Sequence, residues 1–295
     1  MRVAPHTSLK HRMLGAYFKI CRQVAKKRIL YYVDLYAGDG ECICEEAPKT
    51  HWKCPFIVSL LNYAKKGKIK LKCFLNELDP KNESIYKKLK ENVKEYQEFL
   101  IGLTKEDANK VYKKALKKIP KKEWSVFFLD PFKHDDLDWN TIENISKHEI
   151  FDPVSRCIRK PELIVNLMTY TMQRSFKFNP DGITKALGTD KWKDLVTTAE
   201  EQKIHEIFSA IFIKKLENLG YTVSSFCIKQ TPPNNNVLYY IVFASSIPNA
   251  NDIIINKYKP YIDKIMEDEW VKENFKYKLI TKARKQGYKL LSDFN

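Results

Sequence analysis

An acid, a proline and an aromatic ring stand in a row at Phe128-Leu129-Asp130-Pro131-Phe132, at the end of an apolar run. A carboxylate or backbone carbonyl at such a place can accept hydrogen bonds from an exocyclic amine, and an aromatic ring can stack on a base held out of its helix. Asp130 and Pro131 are therefore candidates to orient an acceptor amine, and Phe132 to stack on the base that carries it. The competing role is purely structural: Asp-Pro as a turn and Phe132 as core. Lys133, His134, Asp135, Asp136 and Asp138 follow, so the next loop is densely charged under either reading.

Three more stretches end apolar runs with groups that could do chemistry. Asp34-Leu35-Tyr36-Ala37-Gly38-Asp39-Gly40 places two glycines in one turn, where backbone can approach a ligand closely. A dinucleotide fingerprint would want a third glycine where Ile43 stands, and a P-loop would want Gly-Lys-Ser/Thr where Gly40 is followed by Glu41 and Cys42. Acids at 34, 39 and 41 would repel a pyrophosphate. They suit a cation, or a ligand with an amino group and sugar hydroxyls, such as S-adenosylmethionine. In Asn76-Glu77-Leu78-Asp79, Glu77 is placed to accept ribose hydroxyls, whereas Asp79 reads as a helix cap before Pro80. In Glu162-Leu163-Ile164-Val165-Asn166, the polar Asn166 ends a strand, facing the same cleft as Asp130, and Arg174 lies shortly after. Asn166 as a turn former is the bland alternative.

The elements that must position these groups read as follows. Leu9, Met13, Ala16, Tyr17, Ile20 and Val24 recur at helical spacing up to the basic Lys26-Lys27-Arg28. Strands are expected at 29–35, 69–75, 99–101, 126–129 and 163–168, with helices at 56–66, from Asp79-Pro80 to about Tyr96, and over 111–119. Thr198 with Glu201 suggests a capping box opening a helix closed by Gly220. Two strands, 221–228 and 237–244, flank a Pro/Asn turn and form an antiparallel pair. Five strand–helix alternations followed by a hairpin imply an α/β chain with a mostly parallel sheet covered on both faces. Ligands then bind beyond the carboxyl ends of the strands, where the motifs lie.

Composition narrows the partners. The 295 residues hold 52 Lys+Arg against 36 Asp+Glu, a formal net charge of +16, and are 44% apolar. That excludes disorder as the main state and favours a polyanionic partner such as nucleic acid. The helix face Lys113, Lys114, Lys117 and Lys118, and a tail with seven Lys/Arg against two acids between 271 and 295, are candidate phosphate contacts. No apolar run reaches spanning length and no signal peptide is visible, so a cytoplasmic protein without a membrane partner is expected. Seven cysteines is an odd count that fits a reducing compartment. Cys42, Cys44, His51 and Cys54 have metal-ligand chemistry, but Cys-x-Cys lacks the usual knuckle spacing, and buried thiols are expected instead.

The order Asp-x-x-Ala-Gly-x-Gly, an acidic strand end, Phe-Leu-Asp-Pro-Phe and Glu-Leu-Ile-Val-Asn resembles the three-Cys-motif partner family over roughly residues 8–245. The resemblance implies the class I S-adenosylmethionine-dependent methyltransferase fold: a Rossmann-like three-layer sandwich with a seven-stranded sheet and one antiparallel strand. Carried over, it makes Asp34, Gly38 and Gly40 hold the amino-acid end of the cofactor, Glu77 hold its ribose, and Asp130 line the methyl-transfer site; beside them, Tyr36 and Asp107 are expected to be cofactor-binding, Pro131 and Phe132 catalytic, and Lys133, Asn166 and Arg174 substrate-binding. A three-Cys-motif protein becomes a possible partner. Lys133 departs from the family's glycine after Asp-Pro-Phe, and the chain beyond about Pro248 does not match.

The expected organisation is a basic covering helix (1–28), a methyltransferase-like domain (29–247) and a basic helical extension (248–295). The expected function is methyl transfer to a nucleic-acid amino group. The alternatives are an accessory binding partner without catalysis, and a metal-dependent nuclease built on Asp135, Asp136 and Asp138.

Overall fold

A computed structural model describes residues 2–247, except 4, 26–27, 41, 45–51, 55, 79–82, 153–155, 201–202 and 230–235, and beyond them Pro260 alone. The central sheet has seven strands: β1 (Leu30–Asp34), β2 (Leu71–Asn76), β3 (Leu100–Thr104), β4 (Trp124–Leu129), β5 (Glu162–Leu167), β6 (Thr222–Lys229) and β7 (Val237–Ser245). Their spatial order is β6-β7-β5-β4-β1-β2-β3. β7 runs antiparallel to both its neighbours, and the other pairs are parallel. This is the methyltransferase-like α/β sheet that the alternation of elements and the resemblance implied.

Strand composition follows from the layers. A strand's side chains alternate between faces, and here both faces are covered, so the middle of each central strand is apolar and its polar residues lie toward the ends. In β4, Val126 and Phe128 join Met13, Leu14, Leu61 and Leu89 in one core; Phe127 and Leu129 join Val111, Ile142 and Phe212 in the other. The first core is roofed by α1 (Pro5–Ala25), α2 (Phe56–Lys65) and α3 (Glu83–Asn92). The second is roofed by α4 (Ala108–Lys118), α5 (Trp139–Ser146), α6 (Thr169–Ser175), α7 (Pro180–Leu187), α8 (Trp192–Thr197) and α9 (Ile204–Asn218).

Several boundaries differ from expectation. The helix expected to reach Tyr96 stops at Asn92 and continues as a 3-10 segment, Lys94–Phe99, so the next strand is 100–104 rather than 99–101. Thr198 does not open α9: it is the C-cap of α8, and α9 starts at Ile204 with Lys203 before it. Tertiary packing of Trp192 and Val196 made a helix where only a cap signal was visible. The Asp79-Pro80 cap and the tail from 249, except Pro260, lie outside the described residues. Strands Cys42–Cys44 and Trp52–Cys54 pair antiparallel with Cys42 opposite Cys54; His51 lies outside the described residues. No helix among the described residues is long and apolar enough to cross a membrane.

Candidate active site

Strand order reverses between β1 and β4: the chain proceeds from β1 to β2 on one side, and from β4 to β5 on the other. The crevice beyond their carboxyl ends is where such sheets bind ligands. Register explains what meets there. Val165 is the partner of Leu129 and Asp34 of Phe128, so Asp130 and Asn166 come level, one strand away from Asp34.

Asp34 is buried at the end of β1. Its carboxylate accepts from the Tyr32 hydroxyl at 2.8 Å and from the Tyr36 backbone N–H at 3.1 Å. Burial, reinforced by the charges of Asp130 and Glu77 and only partly offset by those two hydrogen bonds, pushes its pKa up to about 7. The turn that follows uses its glycines as expected. Gly38 and Gly40 have φ of +60° and +75°, values that strain any residue with a Cβ. The Gly40 N–H closes the turn on the Ala37 carbonyl at 3.2 Å, and the Gly38 N–H donates to Glu77 Oε2 at 2.7 Å. A Cβ on Gly38 would meet no atom of the described residues within 4 Å, so that side of the turn is open among them.

Asn76, fully buried, is the knot beneath this turn. Its Nδ2 donates to the carbonyls of Leu35 (3.0 Å) and Glu106 (2.9 Å), and its Oδ1 accepts from the Thr104 hydroxyl (2.8 Å) and the Glu106 N–H (3.0 Å). One amide thus ties the ends of β1, β2 and β3 together, a role that the neighbouring Glu77 drew attention away from.

At the Asp-Pro-Phe end, Asn166 Nδ2 donates to Asp130 Oδ1 at 2.7 Å. Asp130 Oδ2 pairs with the ammonium of Lys10, delivered by α1. Asn166 Oδ1 is buried with no hydrogen-bond partner among the described residues, an unmet acceptor at the strand end. Pro131 is buried, whereas Phe132 is 82% exposed, so the ring is not the core residue that the competing reading made it.

The loop after Phe132 is held by an interlock. His134 is buried; its ring nitrogens lie 3.1 Å from the Thr171 hydroxyl and 3.3 Å from the Ser175 hydroxyl of α6. Burial lowers its pKa and favours the neutral ring. Tyr36 Oη and Asn109 Nδ2 donate to the Asp136 carbonyl at 2.9 and 2.8 Å. The Ser175 carbonyl in turn accepts from the N–H groups of Phe178 and Asn179, and Phe178 is 87% exposed. Phe132 and Phe178 therefore lie two and three residues from the partners of one contact, His134 to Ser175. Asp136 accepts from the Lys133 N–H and Asp138 caps α5, which accounts for those two acids as loop and helix formers. No group of three His, Cys, Asp or Glu among the described residues is arranged to hold a metal.

The remaining expected site residues divide. Asp107 is the N-cap of α4, accepting from the Asn109 N–H at 2.9 Å. Lys133 is exposed beside Phe132; Arg174 is exposed on α6, its guanidinium 5.6 Å from the Tyr170 ring centre. Of the α4 lysines, Lys114 pairs with Glu106, just past the end of β3, and Lys118 turns back to the Ile101 carbonyl near that strand's start. The tail lysines at 272–289 lie outside the described residues. Lys10 and Phe178 were missed. The available signal for Lys10 was a lone cation on an apolar stripe, at i−3, i−4 and i−7 from Met13, Leu14 and Tyr17.

No family model matches the chain, and no curated protein matches its sequence. Solved structures with similar arrangements include the methyltransferase domain of a bacterial CtHen1 (15% identity, covering 80% of this chain and 99% of that one, TM-score 0.39). Protein LPL1258 from Legionella pneumophila is another (12% identity, 85% and 89% coverage, TM-score 0.48). A third is the putative transferase PH0793 from Pyrococcus horikoshii (14% identity, 79% and 63% coverage, TM-score 0.36). The assignment of a methyltransferase-like fold to this chain rests on its strand order and its antiparallel seventh strand.

Proposed function

We propose that this protein is an S-adenosylmethionine-dependent methyltransferase acting on the amino group of a nucleic-acid base. The observation that carries the reading is the pairing of Asp130 with Asn166 beside the switch point, which leaves the buried Asn166 Oδ1 without a donor among the described residues. An amino group supplies the missing N–H.

The neighbouring residues fit the cofactor. A buried carboxylate with a raised pKa gains from a cationic ligand, which suits Asp34 to the cofactor's ammonium. Glu77 and the open side of Gly38 suit the ribose, and a carboxylate-rich turn does not suit a pyrophosphate. When bound, the cofactor supplies a methyl group made electrophilic by the sulfonium. The chain's part is positioning: Asp130, the Pro131 carbonyl and Asn166 aim the amine, and the exposed Phe132 stacks on the base. Lys133 and Arg174, both exposed, are suited to phosphate, as is the overall charge of +16.

Calorimetry with S-adenosylmethionine tests this directly. Wild type is expected to release heat, and Glu77→Ala to weaken binding by about tenfold, the loss of a charge-assisted hydrogen bond. Absence of both heat and thermal shift in the wild type sinks the cofactor reading; nucleic-acid binding that persists in that case, and survives Asp130→Ala, would identify an accessory binding protein.

A further inference from the structure

The residue at the acceptor end that no motif announced is Lys10. It is not a surface lysine that happens to reach a carboxylate. Only 9% of its side chain is exposed, and the helix that follows it is firmly seated. Met13, Leu14, Phe18 and Cys21 are buried against the sheet, the His11 ring stacks on Phe56 at 5.8 Å, and the Tyr17 hydroxyl donates to Glu162. The ammonium is therefore a fixed part of the site, as the Asp130 carboxylate is.

This changes what the site can receive. Asp130 Oδ2 is matched by Lys10 and Oδ1 by Asn166, so its negative charge is already answered. What stays unmet among the described residues is a neutral acceptor, Asn166 Oδ1. A nucleobase amino group brings N–H donors and no charge, and can bond there while the ion pair stays intact. A protonated alkylamine brings a second cation beside the Lys10 ammonium, with no unmatched carboxylate at Asp130 to receive it. In a half-buried site, that repulsion is not screened as it would be in water.

We infer that Lys10 is a specificity-determining residue of the acceptor subsite, which admits a neutral aromatic amine and rejects a protonated alkylamine such as a protein lysine. The inference rests on the methyltransferase reading above. In the reaction it specifies, the lone pair of the amino nitrogen forms the N–CH3 bond, the S–CH3 bonding pair stays on sulfur as a thioether, and the proton shed by nitrogen passes to water.

The test measures transfer of a tritiated methyl group from S-adenosylmethionine to two acceptors, mixed-sequence single-stranded RNA and DNA oligomers and poly-L-lysine, for wild type, Lys10→Gln and Lys10→Arg. Calorimetry with the cofactor runs alongside for each protein. Wild type and Lys10→Arg are expected to label the oligomers and not poly-L-lysine. Lys10→Gln leaves Asp130 with an unanswered charge; it should lose label on the oligomers and gain it on poly-L-lysine, shifting the ratio by at least about tenfold. Because part of that change is a gain, a misfolded variant cannot mimic it. A wild type that prefers poly-L-lysine, or a Lys10→Gln ratio within about twofold of wild type, overturns the inference and leaves the methyltransferase reading standing. Cofactor heat with label on neither acceptor overturns the substrate class and the role of Lys10 together. Lack of cofactor heat in all three proteins is the separate failure of the methyltransferase reading itself.

Discussion

Helix α1 lies over two carboxylates that the protein handles in opposite ways. Asp130, just past the end of β4, meets a cation from α1 and an amide from β5, and next to it a buried acceptor stays unmet. Glu162, at the opposite end of the sheet where β5 begins, accepts from two hydroxyls: Tyr17 from the same helix and Ser245 at 2.8 Å from β7. Burial raises the pKa of Glu162, and Tyr17 and Cys21 beside it are raised well above their ordinary values for the same reason. The carboxyl end of the sheet is charged, incompletely satisfied and edged by exposed aromatics. At the amino end the Glu162 carboxyl is bonded by both hydroxyls. A buried carboxyl bonded by its neighbours contributes to stability and an unmet acceptor to binding, so substitutions at the two ends should separate in what they damage.

The amino end should show the largest effect on folding. Glu162→Ala leaves a cavity and strips the acceptor from two buried hydroxyls, and is expected to cost roughly 3–5 kcal/mol in urea unfolding. Cofactor affinity measured by calorimetry should change little; a loss of binding without a loss of stability would erase the distinction between the ends.

Asp34 gives the ligand end its own pH signature. Its folded-state pKa of about 7 lies above the ordinary 3.8, so the folded state holds the proton more tightly than the unfolded one. The stability it contributes is full below the unfolded value and is lost as pH rises from about 4 to about 7, by up to roughly 4 kcal/mol. Asp34→Asn should flatten that part of the stability profile, read by thermal melts across the range. Binding should run the other way. If the carboxylate receives the cofactor's ammonium, wild-type affinity rises about tenfold between pH 6 and pH 8, and Asp34→Asn removes the slope.

Smaller effects sharpen the contrast at the rim. Phe132→Ala and Phe178→Ala remove rings that are almost wholly in solvent, so melting temperature should hold. Affinity for a single-stranded oligomer, followed by fluorescence anisotropy, should fall by about 1–3 kcal/mol for each. Loss of stability without loss of affinity would return these rings to a structural role. The mildest change is Gly38→Ala. Its Cβ enters open space, but φ of +60° costs about 1–2 kcal/mol for a residue with a side chain, a shift readable in the denaturant midpoint.

Much of this was legible in the chain because the signals were local. Apolar runs ending in Asp34, Asn76-Glu77, Asp130 and Asn166 mark strand ends, and alternation with helices makes those strands parallel, so their polar ends converge at one pole of the sheet. The Gly38–Gly40 turn is a matter of backbone sterics, readable from two residues. The hairpin over 221–244 was readable too, but not that β7 would insert between β5 and β6. Thr198 misled because a cap pattern competes with tertiary packing, and packing of Trp192 and Val196 prevailed.

By itself, then, the sequence determined the parallel α/β architecture, the acidic glycine turn and the residues that would share one end of the sheet. Only the tertiary structure decided how those residues are charged and satisfied. The register of β4 on β5 brings Asn166 to Asp130 but leaves its oxygen unmet, and the docking of α1 carries Lys10 across 120 positions of sequence to the same carboxylate. Propensity and periodicity act over a few residues, whereas the field at a buried carboxylate is set by whatever distant chain is packed against it. The acceptor chemistry, which depends on that field, became readable only in three dimensions.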